Sequence, residues 1–413
     1  MRKKIIRIWH SIGPGLVTGA SDDDPSAITT YSQAGAIFGL ATLWTAIFAY
    51  PLLASMQEIC ARIGLVSNKN LPEIVKSYYP KWLLYMVILI SCPGFILNIG
   101  ADIACIGAVS HLLLPKIPAF IFSTLFAGTL IVLLLVMPYR RFEQAMKLIC
   151  LALLGYVAVP FFIKQDWTLI IKSTFYPTFI FSRKFLLVLT GLIGSILSPY
   201  VFFWQTSTEV ETLRRKNPKI SRSKFTMLRM RIDILFGSFF AVLIMYFILL
   251  TAGTILYKNH INNIQYVQDA AAALKPFAGS LSYLLFSIGI LGTGFLIIPV
   301  LASTVSYMFS GVFNWAQGLE KKFSDAKSFY YIIILAMIGG LIISFFWQHP
   351  VRLLLLTTVS YGVTTPVLIA IILHIANNKK VMGERVNHWR SNLFGFLSLI
   401  ITSAIVVCLL FSW

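Results

Sequence analysis

Charge is what this 413-residue chain has least of: Asp, Glu, Lys and Arg together make up 12% of it, against 58% hydrophobic residues. That balance excludes a soluble globular protein of this size and predicts a chain built for lipid. Acidic residues are the scarcest, 15 against 34 Lys and Arg, for a net charge of +19. The five cysteines (Cys60, Cys92, Cys105, Cys150, Cys408) stand singly in apolar runs with no CxxC pair, which excludes a disulfide framework or a cysteine zinc site. The six histidines (His10, His111, His260, His349, His374, His388) lie near the ends of those runs and form no HxxxH pair, so none is assigned a metal. There is no glycine-rich phosphate loop, hence no ATP-binding domain and no ATP-driven pump is expected on this chain. No catalytic constellation is present either, so the chain is not expected to be an enzyme. The start, "MRKKIIRIWH", is basic but runs into "GPG" without a small-residue cleavage site, and is not expected to be a removable signal peptide.

What the sequence has in abundance is long apolar runs. Eleven are predicted to span a membrane, near residues 12–36, 40–62, 83–112, 118–138, 144–163, 185–210, 230–256, 279–313, 328–347, 350–376 and 392–412. The whole chain, 1–413, reads as one transmembrane domain. If the N-terminus is cytoplasmic, 26 of the 34 Lys and Arg fall in inside segments and 8 outside. Basic residues accumulate on cytoplasmic loops, so this asymmetry predicts a plasma or inner membrane protein with its N-terminus inside and its C-terminus outside. The positive charge is thereby explained by topology and contact with lipid, not by nucleic acid.

The exception to apolarity is "GASDDDPSAITT", residues 19–30, which places Asp22, Asp23 and Asp24 inside the first run. A carboxylate at the bilayer centre costs about 2.5–3.5 kcal/mol on insertion scales. Pro25 removes a helix hydrogen bond and clashes with the preceding turn, and Ser21, Asp22, Asp23 and Ser26 compete for backbone groups. The first run should therefore break, one half-helix ending at about Asp23 and another starting at Pro25. The sixth run repeats the design: Gly191, Gly194, Ser195 and Ser198 precede Pro199. Irregular backbone at membrane depth survives only where it is buried in protein or lines a polar cavity. Two broken runs five helices apart predict an inverted repeat with the substrate site where the breaks meet. The repeats would cover about 12–163 and 185–376, with an extra helix at about 392–412.

"GPGLVTGASDDDPSAITTYSQAGAIFG" followed by "MQEICARIGLVSNKNLPEIV" is similar to the start of the NRAMP (natural resistance-associated macrophage protein) family of divalent metal transporters. The resemblance implies an all-α leucine-transporter fold with helices 1 and 6 unwound at mid-membrane. It also implies alternating access and import of transition-metal ions coupled to protons. The family's Asp-Pro-Gly-Asn is here Asp24-Pro25-Ser26-Ala27, which keeps the aspartate ligand and loses the asparagine amide. Its sixth-helix methionine position is Ser198, the nearby histidine is Tyr200, and a second histidine position is Gln205. Val359, with Ser360 beside it, stands roughly where the family has a glutamine ligand.

A thioether favours transition metals, whereas hydroxyl and carboxylate oxygens suit hard ions such as Mg²⁺, which also keeps much of its water. The expected substrate is thus a hydrated divalent cation of the Mg²⁺ or Mn²⁺ type, with no resident cofactor. Asp24 and Ser198 are the expected metal ligands, Ser26 and Ser195 complete the shell, and Asp22 and Asp23 attract the cation or carry a coupling H⁺ or Na⁺. Asp102, on the third run, aligns roughly with an acidic residue of the family and is expected to line the pathway with Tyr200 and Gln205. Ser303 and Thr304 are candidates for a Na⁺ site. Glu58 is expected to pair with Arg62 one turn on; Glu209 and Glu211 are expected to be solvated. A rival reading makes the substrate a small anion such as bicarbonate, held by the half-helix N-termini at Pro25 and Pro199, with Na⁺ or H⁺ on the aspartates.

Overall fold

The computed structural model describes residues 18–19, 21–137, 154–162, 164–215, 224–261, 264, 267–271, 279, 282–347 and 349–412. Its α-helices, in chain order, are α1 Pro25–Phe38, α2 Trp44–Ser67, α3 Leu71–Tyr78, α4 Lys81–Leu113, α5 Ala119–Val136, α6 Leu154–Ala158, α7 Trp167–Phe175 and α8 Arg183–Ile196. They continue with α9 Pro199–Arg215, α10 Lys224–Ile255, α11 Val267–Ala271, α12 Ser282–Phe313, α13 Lys327–Phe346, α14 Pro350–Asn377, α15 Lys379–Met382 and α16 Trp389–Phe411. No strand occurs among the described residues. Eight helical segments there are long and apolar enough to cross a membrane, or up to nine counting a bent pair. The expected span at 144–163 lies outside the described residues except for 154–162.

Both expected breaks are present. Helical backbone reaches Asp22, stops over Asp23 and Asp24, and resumes at Pro25. The sixth run stops at Leu197–Ser198 and resumes at Pro199. In each case proline takes the first helical position, where its missing N–H is an orphan anyway. After α1 the chain passes through a short 3₁₀ turn, Gly39–Thr42, and turns by 107° into α2. Gly39 sits there at φ +58, a conformation a Cβ disfavours.

The breaks are held by close packing. α8 lies against α14 at a glycine pair: a Cβ on Gly194 would overlap the Thr358 carbonyl and the Gly362 backbone, and one on Gly362 would overlap the Thr190 carbonyl. Small residues allow this approach, which in lipid replaces the hydrophobic drive between helices. α1 is buried from Pro25 to Ala36 and packs on α10, where a Cβ on Gly35 would come within 2.7 Å of the Ala252 methyl. α9 seats on α2 through Thr206, whose hydroxyl donates to the Cys60 carbonyl at 3.3 Å. The core is thus helix against helix, with the two unwound points at its centre. The outer helices instead face lipid: Val136 and Phe346 are each about four-fifths exposed.

At the end of α2, Glu58 pairs with Arg62 at 3.6 Å, as one-turn spacing predicts, and also with Arg231 of α10 at 3.2 Å. Arg62 is buried and donates to the Asn387 side chain ahead of α16. Glu209 and Glu211 depart from expectation. Glu209 is buried and accepts from Gln205 at 3.1 Å, and Glu211 is half-buried and accepts from the Leu319 amide at 2.8 Å. α9 is covered by α2 and by the segment after α12, which a count of nearby basic residues does not show.

Candidate ion site at the two helix breaks

Asp24 caps α1. Its Oδ1 accepts from the Ala27 amide and from the Ser26 hydroxyl, both at 2.6 Å. A carboxylate at a helix N-terminus satisfies orphan amides and meets the positive end of the helix dipole. Its Oδ2 accepts from Nδ2 of Asn98, on α4, at 3.0 Å. Oδ1 thus carries two of these contacts and Oδ2 one, and the Ser26 amide also bonds to this carboxylate.

Asp22 and Asp23 are placed differently. Tyr200, in the first turn of α9, donates to the Ser21 carbonyl at 2.9 Å and approaches Asp22 Oδ1 at 3.4 Å, so the second break reaches directly onto the first. Asp22 Oδ2 and both oxygens of Asp23 have no hydrogen-bond partner among the described residues. The same is true of both oxygens of Asp102, one turn beyond Asn98 on the same face of α4. Asp22, Asp23, Asp24 and Asp102 are 1%, 0%, 3% and 0% exposed, and none makes an ion pair among the described residues. A carboxylate this dry without a paired charge is costly unless a cation or a proton neutralises it. Tyr31, Tyr200 and Tyr361 stand within reach of their charge, and the rings of Tyr200 and Tyr361 lie 6.4 Å apart.

The hydroxyl of Ser198 donates to the carbonyls of Gly194, at 3.0 Å, and Ser195. Its proton is committed to its own helix end, while its lone pairs stay available, and Asp22 lies within its reach. Ser26 likewise donates to Asp24 and keeps its lone pairs. Ser195 is buried with its hydroxyl unpartnered among the described residues. Gln205 lies two helical turns past Ser198 and binds Glu209. Ser303 and Thr304 stand apart: a Cβ on Gly294 of α12 would lie 4.0 Å from Pro25, and Ser303 is nine residues on, about 13 Å along the helix axis. Thr304 donates back to the Val300 carbonyl at 2.7 Å. No three His, Cys, Asp or Glu side chains converge as a metal shell among the described residues.

α14 brings no ligand from the position of the family's glutamine. Val359 and Ser360 are only half-buried, and Ser360 donates within its own helix. Instead Thr358 meets Thr30 of α1 at 3.0 Å, Tyr361 donates to the Gly94 carbonyl at 3.3 Å, and Thr365 donates to the Leu197 carbonyl at the second break at 3.1 Å. No local sequence pattern marks Thr358, Tyr361 or Thr365. For Asn98 a signal existed, its one-turn spacing from Asp102 in "NIGADIACIG".

Two interrupted helices meeting at buried carboxylates define the class: a multi-pass membrane transporter of the leucine-transporter type. The chain belongs to the natural resistance-associated macrophage protein-like family, whose profile matches residues 15–412. That family consists of transporters, not enzymes. Relatives include a divalent metal cation transporter MntH of Mycobacterium leprae, 23% identical over 98% of this chain and 92% of its own length. The MntH of Bacillus subtilis is 26% identical over 91% of this chain and 86% of its own length. A manganese transporter of Eremococcus coleocola superposes with a TM-score of 0.72 at 18% identity, covering 97% of this chain and 85% of that one. Mhp1, a nucleobase-cation-symport-1 family transporter, superposes at 0.59 with 11% identity, over 97% of this chain and 90% of its own. At these identities the likeness to the solved structures is one of fold.

Proposed function

We propose that this protein carries a divalent metal cation across the plasma or inner membrane by alternating access, the two repeats (about 12–163 and 185–376) moving around the paired helix breaks. The observation that carries the reading is the Asp24 carboxylate, buried between the breaks with one side-chain donor on its Oδ2, near the further unpaired carboxylates of Asp22, Asp23 and Asp102. Asp24 binds the cation through Oδ2 alone, and the ion keeps much of its water, as Mg²⁺ and to a lesser degree Mn²⁺ prefer. Ser198, Ser26 and Ser195 add hydroxyl oxygens to the shell or to its waters. Asp22, Asp23 and Asp102 raise the local cation concentration and take up a coupling H⁺ or Na⁺. The divalent-metal names of the MntH relatives and of the Eremococcus coleocola structure point the same way.

The donor set is all oxygen, which favours a hard cation over Fe²⁺. The orientation, N-terminus inside, rests on the distribution of Lys and Arg. The anion reading loses its main support, because the amides at the start of α1 are already capped by Asp24 and an anion there would face four carboxylates. The test is uptake of Mn²⁺, Mg²⁺ and bicarbonate in parallel by liposomes carrying the purified protein. Saturable uptake of a divalent cation, lost in Asp24→Ala, is expected; bicarbonate flux without cation uptake would sink the reading.

A further inference from the structure

The side chain that holds Asp24 from outside its own helix has no counterpart in the first-helix motif. We propose that Asn98 is an ion-binding and selectivity residue of this transporter, supplying from α4 the amide that the first helix lacks at Ala27; this rests on the divalent-cation reading above. Asn98 is 0% exposed. Its Nδ2 donates to Asp24 Oδ2 at 3.0 Å, the oxygen that takes no part in the contacts with Ser26 Oγ and the Ala27 amide. Carboxylate oxygen accepts and amide nitrogen donates, so this contact fixes which end of the amide faces Asp24. Oδ1 then points away from Asp24 and has no hydrogen-bond partner among the described residues. A buried amide oxygen left unpaired costs free energy unless something fills it.

A cation on Asp24 Oδ2, or a water of its shell, lies within one amide width of that oxygen. The two ends of Asn98 thus do separate work: the nitrogen aims Asp24, and the oxygen, a hard neutral ligand, adds to the shell. A neutral oxygen suits a hydrated hard ion. The surroundings hold the amide in place. The Tyr361 hydroxyl lies beside it, Phe95 on the preceding turn packs edge-on to Tyr361 at 6.0 Å, and Asp102 follows one turn on. In the family's motif the amide sits on the same turn as the aspartate. Here Ala27 fills that place, 1% exposed, and the amide arrives from α4 instead.

The test is cation binding by the full-length purified protein, titrated with Mn²⁺ and with Mg²⁺, for wild type, Asn98→Ala and the swap Asn98→Ala/Ala27→Asn. The swap conserves volume while moving the amide back to the first helix. Asn98→Ala should weaken binding of both ions about tenfold to a hundredfold, the range for loss of a residue that orients a ligand. The swap should recover most of that loss while shifting the Mn²⁺ to Mg²⁺ affinity ratio away from that of wild type. A merely structural asparagine predicts no recovery and an unchanged ratio, and that result overturns the proposal. So does wild-type affinity in Asn98→Ala, and if Asp24→Ala still abolishes binding in that case, the divalent-cation reading survives alone. Wild-type protein that binds neither ion overturns both. Should Asn98→Ala fail to fold, the isosteric Asn98→Asp replaces it; unchanged affinities and ratio there likewise overturn the assignment.

Discussion

The two helix breaks share a sequence logic, small residues followed by proline, but they differ in what they bring to the site. The break before α1 brings charge: three aspartates, one of them held by donors from α1 and α4. The break before α9 brings no charge. Its Ser198 hydroxyl serves its own helix end, its Leu197 carbonyl accepts from Thr365, and its Tyr200 reaches over to tie the first break down. The same backbone device thus plays two parts. In the proposed function the first break supplies the charged ligand, and the second adds neutral hydroxyls and steadies the space around it.

That division can be broken or sharpened by substitution. Asp24→Ala removes the one carboxylate that is aimed by donors from two helices, so cation affinity should fall by at least about a hundredfold in a binding titration. Next comes the packing that holds the second break. Gly362→Ala puts a methyl into the Thr190 carbonyl, and a scan of thermal unfolding in detergent should show a loss of about 1–3 kcal/mol. Ser198→Ala removes only a neutral hydroxyl, so affinity should stay within about tenfold of wild type. Ser198→Met at the same position should move preference towards softer ions, read as Mn²⁺ gaining on Mg²⁺ in competition. Smallest of all, Arg231→Ala breaks an exposed ion pair with Glu58 far from either break, and unfolding should move by no more than about 1 kcal/mol.

Much of the architecture was legible in the sequence because its causes are local. Proline and its small neighbours marked both breaks to within a residue or two. Apolar length placed spans such as Lys81–Leu113 and Ala119–Val136 close to 83–112 and 118–138. The partners of the carboxylates were another matter. Asn98, Tyr361 and Thr365 reach the breaks only through helix packing, and a single residue of helix turns a side chain by about 100°, so which face α14 presents is not set by any local pattern. Ser303 and Thr304 fit a hydroxyl pattern and lie about 13 Å along α12 from its approach to Pro25. Burial of Glu209 depends on α2 and lay beyond any local rule.

The central claim, that the proposed cation depends on the carboxylate of the first break far more than on the hydroxyls of the second, is tested most directly by titrating Mn²⁺ into Asp24→Ala and Ser198→Ala side by side with wild type. Binding lost in the first and kept within about tenfold in the second is the predicted result. Equal losses in both, or an Asp24→Ala protein that binds like wild type, would contradict it.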